Sequence, residues 1–449
     1  MILPLHHAHH QKVNGMIHLT KSLQQSNADI RLLWLSTFIR MASFGVTNQI
    51  LTLYLKAINI EEAYIGWFMA LTLVGDTILS YYLTWYSDHI GRRRVMIIGS
   101  LLMVIAGLTF SSTIENFYVL LLAAIVGVIS PSGNDTGPFK SIEEACMAHM
   151  TPANHRPEIY AVHWLATAAG AALGSLMAGA YVDYFKSIGW KGAWSYRCGF
   201  YLYTFLAVAK FISILFLSKK CEASYVPPFG TESTPLLMVD EPIDSSKLSP
   251  KTRKILFKLL VCFMLDSFGY GFMTPAWVVY YFKITFKVSA TFLGGLFFVN
   301  NILSSVAAIP SAWLAKLLGP ISSSLYTQIP AGVAFIFVPV FEAQLPPSVI
   351  FLLINQMLSA TDVVPRQVLL TTLIDPHELT KVLGTVNVGK TAARTIGPVF
   401  TGHLSSMGYL WVNYWISGGL LILSNILLGL QFKGVDREVL DKQAVIHDI

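Results

Sequence analysis

The chain has 449 residues, of which 54% are hydrophobic and only 12% charged, and its formal net charge at pH 7 is +6. Soluble globular proteins carry about 25% charged residues, so this composition excludes an ordinary soluble domain and favours an integral membrane protein. The positive charge does not indicate a nucleic-acid partner, because Lys and Arg lie in short loops between apolar runs, as the positive-inside rule describes.

Twelve apolar segments follow one another along the chain, each of a length suited to a bilayer-crossing helix. We expect them near residues 31–57, 62–87, 94–113, 117–151, 158–184, 196–218, 253–282, 289–317, 319–342, 346–374, 377–407 and 410–432. The sequence therefore predicts an all-α membrane protein with two six-helix halves, 31–218 and 253–432. The tails 1–30 and 433–449 and the linker 219–252 are expected in the cytosol, because most Lys and Arg lie on their side.

Between the second and third spans lies the sequence Asp88-His-Ile-Gly91-Arg92-Arg93-Arg94. An acidic residue at a helix end beside an arginine cluster can hold neighbouring helices through ion pairs and the helix dipole. This pattern predicts a conformational latch on the cytosolic side. The alternative is that these residues only anchor the topology.

The fourth span is interrupted by a polar stretch, Ser130–Arg156, that is expected to reach the middle of the membrane. Its apolar part, residues 118–129, is too short to cross the roughly 30 Å hydrocarbon core alone. Glycine, proline and ionisable side chains are tolerated at that depth where a helix lines a polar cavity. A carboxyl group partly removed from water can carry a proton, which makes Asp135 the first candidate for proton coupling. The predicted proton-coupling residues are Asp135, Glu143, Glu144 and Asp76.

Charged side chains occur inside many of the predicted spans. A lone charge at the bilayer centre costs roughly 2.5–3.5 kcal/mol, so these groups must be paired, neutralised or hydrated in a central cavity. Spacing suggests that Lys140 pairs with Glu143 or Glu144 and that Asp362 pairs with Arg366, with a purely structural ion pair as the alternative. Because acids are more frequent in the N-terminal half, we assign proton coupling to it and anion binding to the C-terminal half. The predicted substrate-binding residues are Arg40, Lys140, Asp266, Asp362, Arg366, Lys390 and Arg394.

Soft side chains gather at the end of the fourth span, in Cys146-Met147-Ala-His149-Met150. Sulfur and imidazole ligands suit copper(I), so a copper or other metal ion transporter is an alternative function. Met and Cys at a helix end also serve as packing residues.

The linker contains Glu232, Leu236 and Leu237 in an E-x-x-x-L-L pattern. The pattern resembles the acidic dileucine signals that sorting adaptors read on endolysosomal membrane proteins, and its polar surroundings are typical of a disordered segment. It favours a vacuolar or lysosomal membrane over the plasma membrane and predicts a sorting adaptor as a partner.

The two halves repeat one pattern, in which an Asp-x-x-Pro motif is followed in the next span by two glycines five residues apart. The matching positions are Asp135, Pro138, Gly174 and Gly179 in one half and Asp362, Pro365, Gly397 and Gly402 in the other. Parallel repeats of this kind are typical of transporters that bind their substrate near the midplane, between the halves.

With this repeat, the chain resembles the major facilitator superfamily over nearly its full length. Residues 88–94 carry the resemblance best, because they are similar to the family's D-R-x-G-R-R/K loop, with His89 in place of the usual basic residue. The stretch Gly127–Phe139 is similar to a fungal and bacterial subgroup. The resemblance implies secondary transport by alternating access of two halves.

The sequence thus predicts a secondary active transporter of a small polar or charged solute, coupled to protons. Its expected partners are a small-molecule or ion substrate, protons and the lipid bilayer. No cofactor is predicted, and no enzyme, because the chain shows no nucleophile–base–acid set. A transport-derived nutrient receptor is the alternative from another class of protein.

Overall fold

The computed structural model describes residues 26–127, 129, 138–152, 155–222, 224–225, 248–374, 376–437 and 440. Within these ranges every regular element is a helix. Lipid offers backbone groups no hydrogen-bond partner, so an apolar chain that crosses it satisfies its own N–H and C=O groups by forming helices. The predicted all-α membrane fold is confirmed.

The N-terminal half contains seven of the described helices, because the fourth span is divided into α4 and α5. They are α1 (Ala28–Ala57), α2 (Glu62–Ile90), α3 (Arg92–Ser111), α4 (Phe117–Val126), α5 (Pro138–Met150), α6 (Arg156–Ser187) and α7 (Ala193–Leu215). A short 3-10 turn, Lys219–Cys221, follows α7.

The C-terminal half contains eight of the described helices, with two of its spans divided. They are α8 (Pro250–Phe272), α9 (Pro275–Phe286), α10 (Ala290–Leu318), α11 (Pro320–Phe337), α12 (Leu345–Ala360), α13 (Val363–Leu373), α14 (Pro376–Ser406) and α15 (Val412–Gln431). A 3-10 turn, Pro339–Phe341, lies between α11 and α12.

Nine segments of the described chain are long and apolar enough to cross a bilayer. The remaining three predicted spans are α1, α14 and the divided pair α4–α5. The helices α1 and α14 have 30 and 31 residues, so they are long enough, but both carry many polar side chains. Polar groups on a spanning helix face the interior of the bundle, because lipid does not solvate them.

The divided spans mark where the chain leaves regular helix inside the bundle. The break between α8 and α9 falls at Met273 and Thr274, directly before Pro275, which has no N–H for a continuing helix. The break between α12 and α13 falls at Thr361 and Asp362. Discontinuous helices at membrane depth are typical of transporter binding sites.

The two halves meet mainly along two helix pairs, α6 against α10 and α2 against α14, and α9 also contacts α1. The contact is tight near one end of the bundle, which we call the closed end and which carries the chain around residues 57–62, 187–193 and 286–290. A Cβ added to Gly66 of α2 would lie 2.3 Å from the carbonyl oxygen of Pro398 in α14. A Cβ added to Gly179 of α6 would lie 2.2 Å from the carbonyl oxygen of Ala290 in α10.

The halves separate toward the other end, which we call the open end and which carries residues 90–92 and 219–222. Gly384 and Gly402 lie on one face of α14, about five helical turns apart. A Cβ at Gly402 would lie 2.4 Å from the carbonyl oxygen of Glu62, whereas a Cβ at Gly384 would meet nothing within 4 Å. On the same helix Val388 is 67% exposed. The space between the halves is therefore accessible from the open end.

Candidate functional site

The first buried charge cluster lies in the N-terminal half around Glu143 of α5. Its Oε2 atom lies 2.8 Å from Arg40 Nη2 of α1, and its Oε1 atom lies 3.0 Å from Lys210 Nζ of α7. The Thr37 hydroxyl donates to Oε2 at 2.9 Å, and Lys210 Nζ donates to Ser36 Oγ at 3.0 Å. The side chains of Glu143 and Lys210 are fully buried. The cluster therefore joins three helices around one carboxylate.

Aromatic and polar groups surround this carboxylate. Lys210 Nζ lies 4.2 Å from the ring centroid of Phe139, close enough for a cation–π contact. His163 Nδ1 of α6 lies 3.4 Å from Thr37 Oγ1. Because a charge inside the membrane needs compensation, these contacts make a site of two cations and one carboxylate energetically tolerable.

The pairing expected from local spacing is wrong for Glu143. The carboxylate forms its ion pairs with Arg40 of α1 and Lys210 of α7, whereas Lys140 is half-buried and forms no ion pair with it. Glu144 is half-buried, and its carbonyl oxygen accepts from the Tyr160 hydroxyl at 3.1 Å. Ion pairs with residues on other helices are favoured because they compensate two buried cations, whereas Lys140 is partly exposed.

The second cluster lies in the C-terminal half around Arg366 of α13. Its Nε donates to Asp362, which directly precedes the helix, and its Nη1 lies 2.7 Å from Asp266 Oδ2 of α8. Asp362 also accepts from the hydroxyl of Ser324 in α11. The guanidinium lies 5.3 Å from the ring centroid of Phe263. The predicted Asp362–Arg366 pair is confirmed, and Asp266 joins it as a second carboxylate.

Lys390 and Arg394 lie one helical turn apart on α14, beside the aromatic side chains of α8. The Arg394 guanidinium lies 4.7 Å from the ring centroid of Tyr270, and Lys390 Nζ lies 5.9 Å from that of Phe263. Neither cation forms an ion pair within the described residues. The Arg394 Nε atom is buried without a hydrogen-bond partner in that part of the chain.

The remaining acidic candidates lie in α2 and near α5. Asp76 is buried in α2, where its Oδ1 atom lies 3.5 Å from the Ser80 hydroxyl. Asp135 lies outside the described residues, as does the polar stretch 130–137. The structure therefore brings Glu143 and Arg40 into one cluster and Asp266, Asp362 and Arg366 into another.

The predicted latch lies at the junction of α2 and α3. Gly91 has a φ of +104°, which turns the chain sharply between the two helices, and the Arg92 N–H donates to Glu222 Oε2 at 2.7 Å. Arg93 Nη2 donates to the carbonyl of Leu215 at 2.8 Å. Arg94 is exposed, and Asp88 lies in the last turn of α2. The contacts described for this loop are made to the N-terminal half and to the start of the linker.

The soft side chains of α5 face the segment that follows α7. The Cys146 thiol donates to the Cys221 carbonyl at 3.4 Å, and His149 Nε2 lies 2.6 Å from the Tyr225 carbonyl oxygen. Within the described residues no three His, Cys, Asp or Glu side chains are grouped to hold a metal ion. The predicted sorting signal, Glu232, Leu236 and Leu237, lies outside the described residues.

Polar contacts also join the two halves at the closed end. The Tyr280 hydroxyl of α9 donates to Glu62 Oε1 of α2 at 2.8 Å, and Lys56 Nζ lies 2.7 Å from the same oxygen. The carboxylate of Asp183 in α6 accepts from the backbone N–H groups of Ala290 and Thr291 in α10, at 3.2 and 2.7 Å.

Sequence reasoning missed several residues of these sites. Lys210 was recognisable as a charge inside an apolar span, but it lies 67 positions from Glu143, and nothing local indicates that pairing. His163 and Ser324 belong to no sequence pattern that indicates a site. Glu62 and Asp183 lie at helix ends beside loops, where an acidic residue is usually a solvated surface group.

The family model described as Major Facilitator Superfamily matches residues 33–257 and 259–444. A Saccharomyces cerevisiae relative, named Uncharacterized membrane protein YJR124C, is 46% identical over 431 residues, which cover 92% of this chain and 96% of the relative.

Solved structures with the same architecture are more distant in sequence. A D-xylose-proton symporter is 16% identical, with a TM-score of 0.66 over 89% of this chain and 97% of its own. An inward-facing bacterial homologue of the iron transporter ferroportin is 14% identical, with a TM-score of 0.68 over 90% of this chain and 98% of its own. At such identities the likeness shows the fold alone.

The family model covers almost the whole chain, and the yeast relative agrees with it over nearly the same length. The fold supports the same assignment, with two helical halves that surround a space open at one end and with divided helices inside the bundle. This chain belongs to the major facilitator superfamily.

Proposed function

We propose that this protein is a secondary active transporter that moves a small polar or charged solute across a membrane by alternating access, coupled to protons. The observation that carries the proposal is a pair of charge clusters inside the bundle, one in each half: a buried one around Glu143 and a partly buried one around Arg366. Both lie on or beside divided spans, where transporters of this architecture bind solutes and coupling ions.

The contacts between the halves support alternating access. The halves touch at the closed end through close glycine contacts and a few polar groups, and they separate at the open end. A rocking motion that breaks these contacts would open the opposite side without disturbing either charge cluster, because each cluster lies within one half. The bound solute would then face the two sides of the membrane in turn.

Proton coupling follows from the chemistry of the buried carboxyl groups. A carboxylate that compensates a buried cation loses that role when it binds a proton, so protonation changes which cations can hold a solute. Asp135 is our first candidate for the proton carrier, with Glu143, Glu144 and Asp76 as the others. Residues 88–94 are proposed to act as a latch when the open end closes.

The test uses the full-length protein in liposomes loaded with a pH-sensitive dye and supplied with small acids, sugars and amino acids. We expect at least one solute to move protons and to accumulate when a pH gradient is imposed. Asp135→Asn, which mimics a permanently protonated carboxyl, should keep solute exchange but lose gradient-driven accumulation. Glu61→Gln, an exposed carboxyl-to-amide change, is the matched control.

Two results would contradict parts of this proposal. Solute accumulation that does not depend on the pH gradient would exclude proton coupling. Normal gradient-driven accumulation by Asp135→Asn would make Asp135 structural, and Glu143 and Glu144 would be the next carriers to test.

We also propose that the protein resides in a vacuolar or lysosomal membrane with both termini in the cytosol. The proposal rests on the E-x-x-x-L-L pattern and on the distribution of Lys and Arg. Changing Leu236 and Leu237 to Ala should move the protein to another membrane in fluorescence microscopy. An unchanged location would count against the signal.

A further inference from the structure

The charges of the C-terminal cluster are unevenly compensated. Arg366 contacts two carboxylates, Asp266 and Asp362. Lys390 and Arg394 form no ion pair within the described residues. The cations of this cluster that lack an ion-pair partner in the described chain therefore lie on α14.

The two cations lie on one face of α14. They lie one turn apart, where like charges repel each other. Gly389, the residue next to Lys390, lets α14 approach α8, because a Cβ there would lie 2.9 Å from Leu260 Cδ2. This close approach sets Lys390 and Arg394 beside the rings of Phe263 and Tyr270. The repulsion persists in this arrangement, since an aromatic ring carries no formal charge.

Several hydrogen-bond donors of these two cations lack an acceptor in the described chain. A ring face contacts the cation as a whole but leaves the ammonium's three donors and most of the guanidinium's five without an acceptor. The Arg394 Nε atom is buried and has no acceptor in the described chain. An anion is the ligand that would satisfy these donors and remove the repulsion.

The position suits a transported ligand. Lys390 and Arg394 lie near the middle of α14, which runs from Pro376 to Ser406, and so near the middle of the membrane. Gly384 and Val388, one to two turns nearer the open end on the same helix, face open space or are mostly exposed. A small solute that enters from the open end can therefore reach this level.

We infer that Lys390 and Arg394 form the substrate's anion-binding site, and that the substrate class is a small anion with two negative charges. Side chains one turn apart on a helix have Cβ atoms about 5–6 Å apart, so they can share one phosphate or take one carboxylate each. The planar arginine fork binds an oxyanion through two parallel hydrogen bonds, and lysine adds a mobile point charge. The inference rests on the proposed transport function and names its substrate class.

The test measures ligand binding by the melting temperature of the full-length protein in detergent at constant ionic strength. The probes are succinate and inorganic phosphate, with acetate as a single charge and xylose as a neutral solute. We expect a saturable rise with at least one of the two dianions, a weaker one with acetate and none with xylose. Lys390→Gln and Arg394→Gln should each raise the half-saturating dianion concentration about tenfold or more.

The control is Lys258→Gln, which removes the same charge from an exposed position on α8 and should leave binding unchanged. Without anion, neither site variant should melt below the parent protein, because each removes one of two repelling cations. A variant that melts well below it would mark a structural cation and overturn the inference. So would a dianion effect equal to that of xylose, or one that the site variants retain in full.

Failure of the transport proposal would look different. In one outcome, a dianion binds through Lys390 and Arg394 while liposomes take up none of it, with or without a pH gradient. That result would support the anion site and contradict the transporter proposal. If another solute class is transported and both variants carry it normally, the transporter proposal stands and the anion site falls.

Discussion

Among single residues, Glu143 stands out because its one carboxylate compensates two buried cations. It contacts both Arg40 and Lys210, and its side chain is fully buried. Removing one partner of a buried ion pair leaves the other charge desolvated and uncompensated, which costs more than the pair contributes. Glu143 is therefore expected to matter for folding as well as for transport.

Glu143→Gln should lower the stability of the N-terminal half by about 3–5 kcal/mol, because it removes the negative charge that two buried cations contact. The measurement is the melting temperature and the yield of folded protein in detergent. Glu61→Gln, the same carboxyl-to-amide change at an exposed position, is the control and should change little. Adding Lys210→Met to Glu143→Gln should recover part of the loss, and a single variant that melts like the parent protein would refute this account.

At the scale of helices, close backbone approach decides how the elements pack. In the absence of a hydrophobic force between helices in lipid, small residues let two backbones gain van der Waals contact. A Cβ on Gly174 of α6 would lie 2.0 Å from the carbonyl oxygen of Ala42 in α1, and one on Gly45 of α1 would lie 2.4 Å from that of Ala171 in α6. The α1–α6 pair is thus built on glycine at both sides.

Gly174→Leu should separate α1 from α6 and destabilise the protein by about 1–3 kcal/mol or more, since the new side chain would overlap backbone atoms that cannot move aside. Gly419→Leu is the matched control, because a Cβ at Gly419 of α15 would meet nothing within 4 Å. Melting temperatures of the two variants give the comparison. Equal effects would show that helix propensity, not close approach, explains the loss.

The helix ends repeat between the halves in a way that the sequence pattern did not reveal. Glu222, after α7, accepts from the first N–H of α3, and Asp436, after α15, accepts from the N–H groups of Ile321 and Ser322 at the start of α11. A carboxylate at a helix N-terminus interacts favourably with its free N–H groups and its dipole. In each half, the segment after the sixth span thus caps the N-terminus of the third span.

At the scale of the whole molecule, the balance between the closed and open ends rests on few polar contacts. The Glu62 carboxylate accepts from Tyr280 of the other half and pairs with Lys56 of its own half, and Asp183 of α6 caps α10. Partly exposed contacts of this kind contribute about 0–1 kcal/mol each. Contacts of that size can be broken in every transport cycle, and a single substitution should change the population of the two states measurably.

Glu62→Gln should weaken the closed end by about 1 kcal/mol, which is roughly a fivefold change in the ratio of the two states. The probe is a cysteine at Ala290, which is 7% exposed at the contact with α6, and the readout is its rate of maleimide labelling. The native cysteines are all buried and should add little background. Glu61→Gln is the control, and a labelling rate that Glu62→Gln leaves unchanged would exclude this role.

Local spacing predicted some of the site and could not predict the rest. Asp362 and Arg366 are four residues apart at a helix start, and a regular helix brings such side chains together whatever surrounds it. Lys140 and Glu143 had the same kind of spacing, but Glu143 faces α1 and α7. Its partners, Arg40 and Lys210, are buried on other helices, and spacing along the chain does not indicate contacts between helices.

The amino-acid sequence is enough to predict a membrane protein made of helices in two repeated halves, because an apolar chain in lipid satisfies its backbone groups by forming helices. The sequence also shows where the charges inside the spans lie. Which of these charges pair with one another depends on how the helices pack. Contacts between helices far apart in the chain give Glu143 two cations, and the contacts of Arg366 include two carboxylates. Lys390 and Arg394 have no ion-pair partner among the described residues.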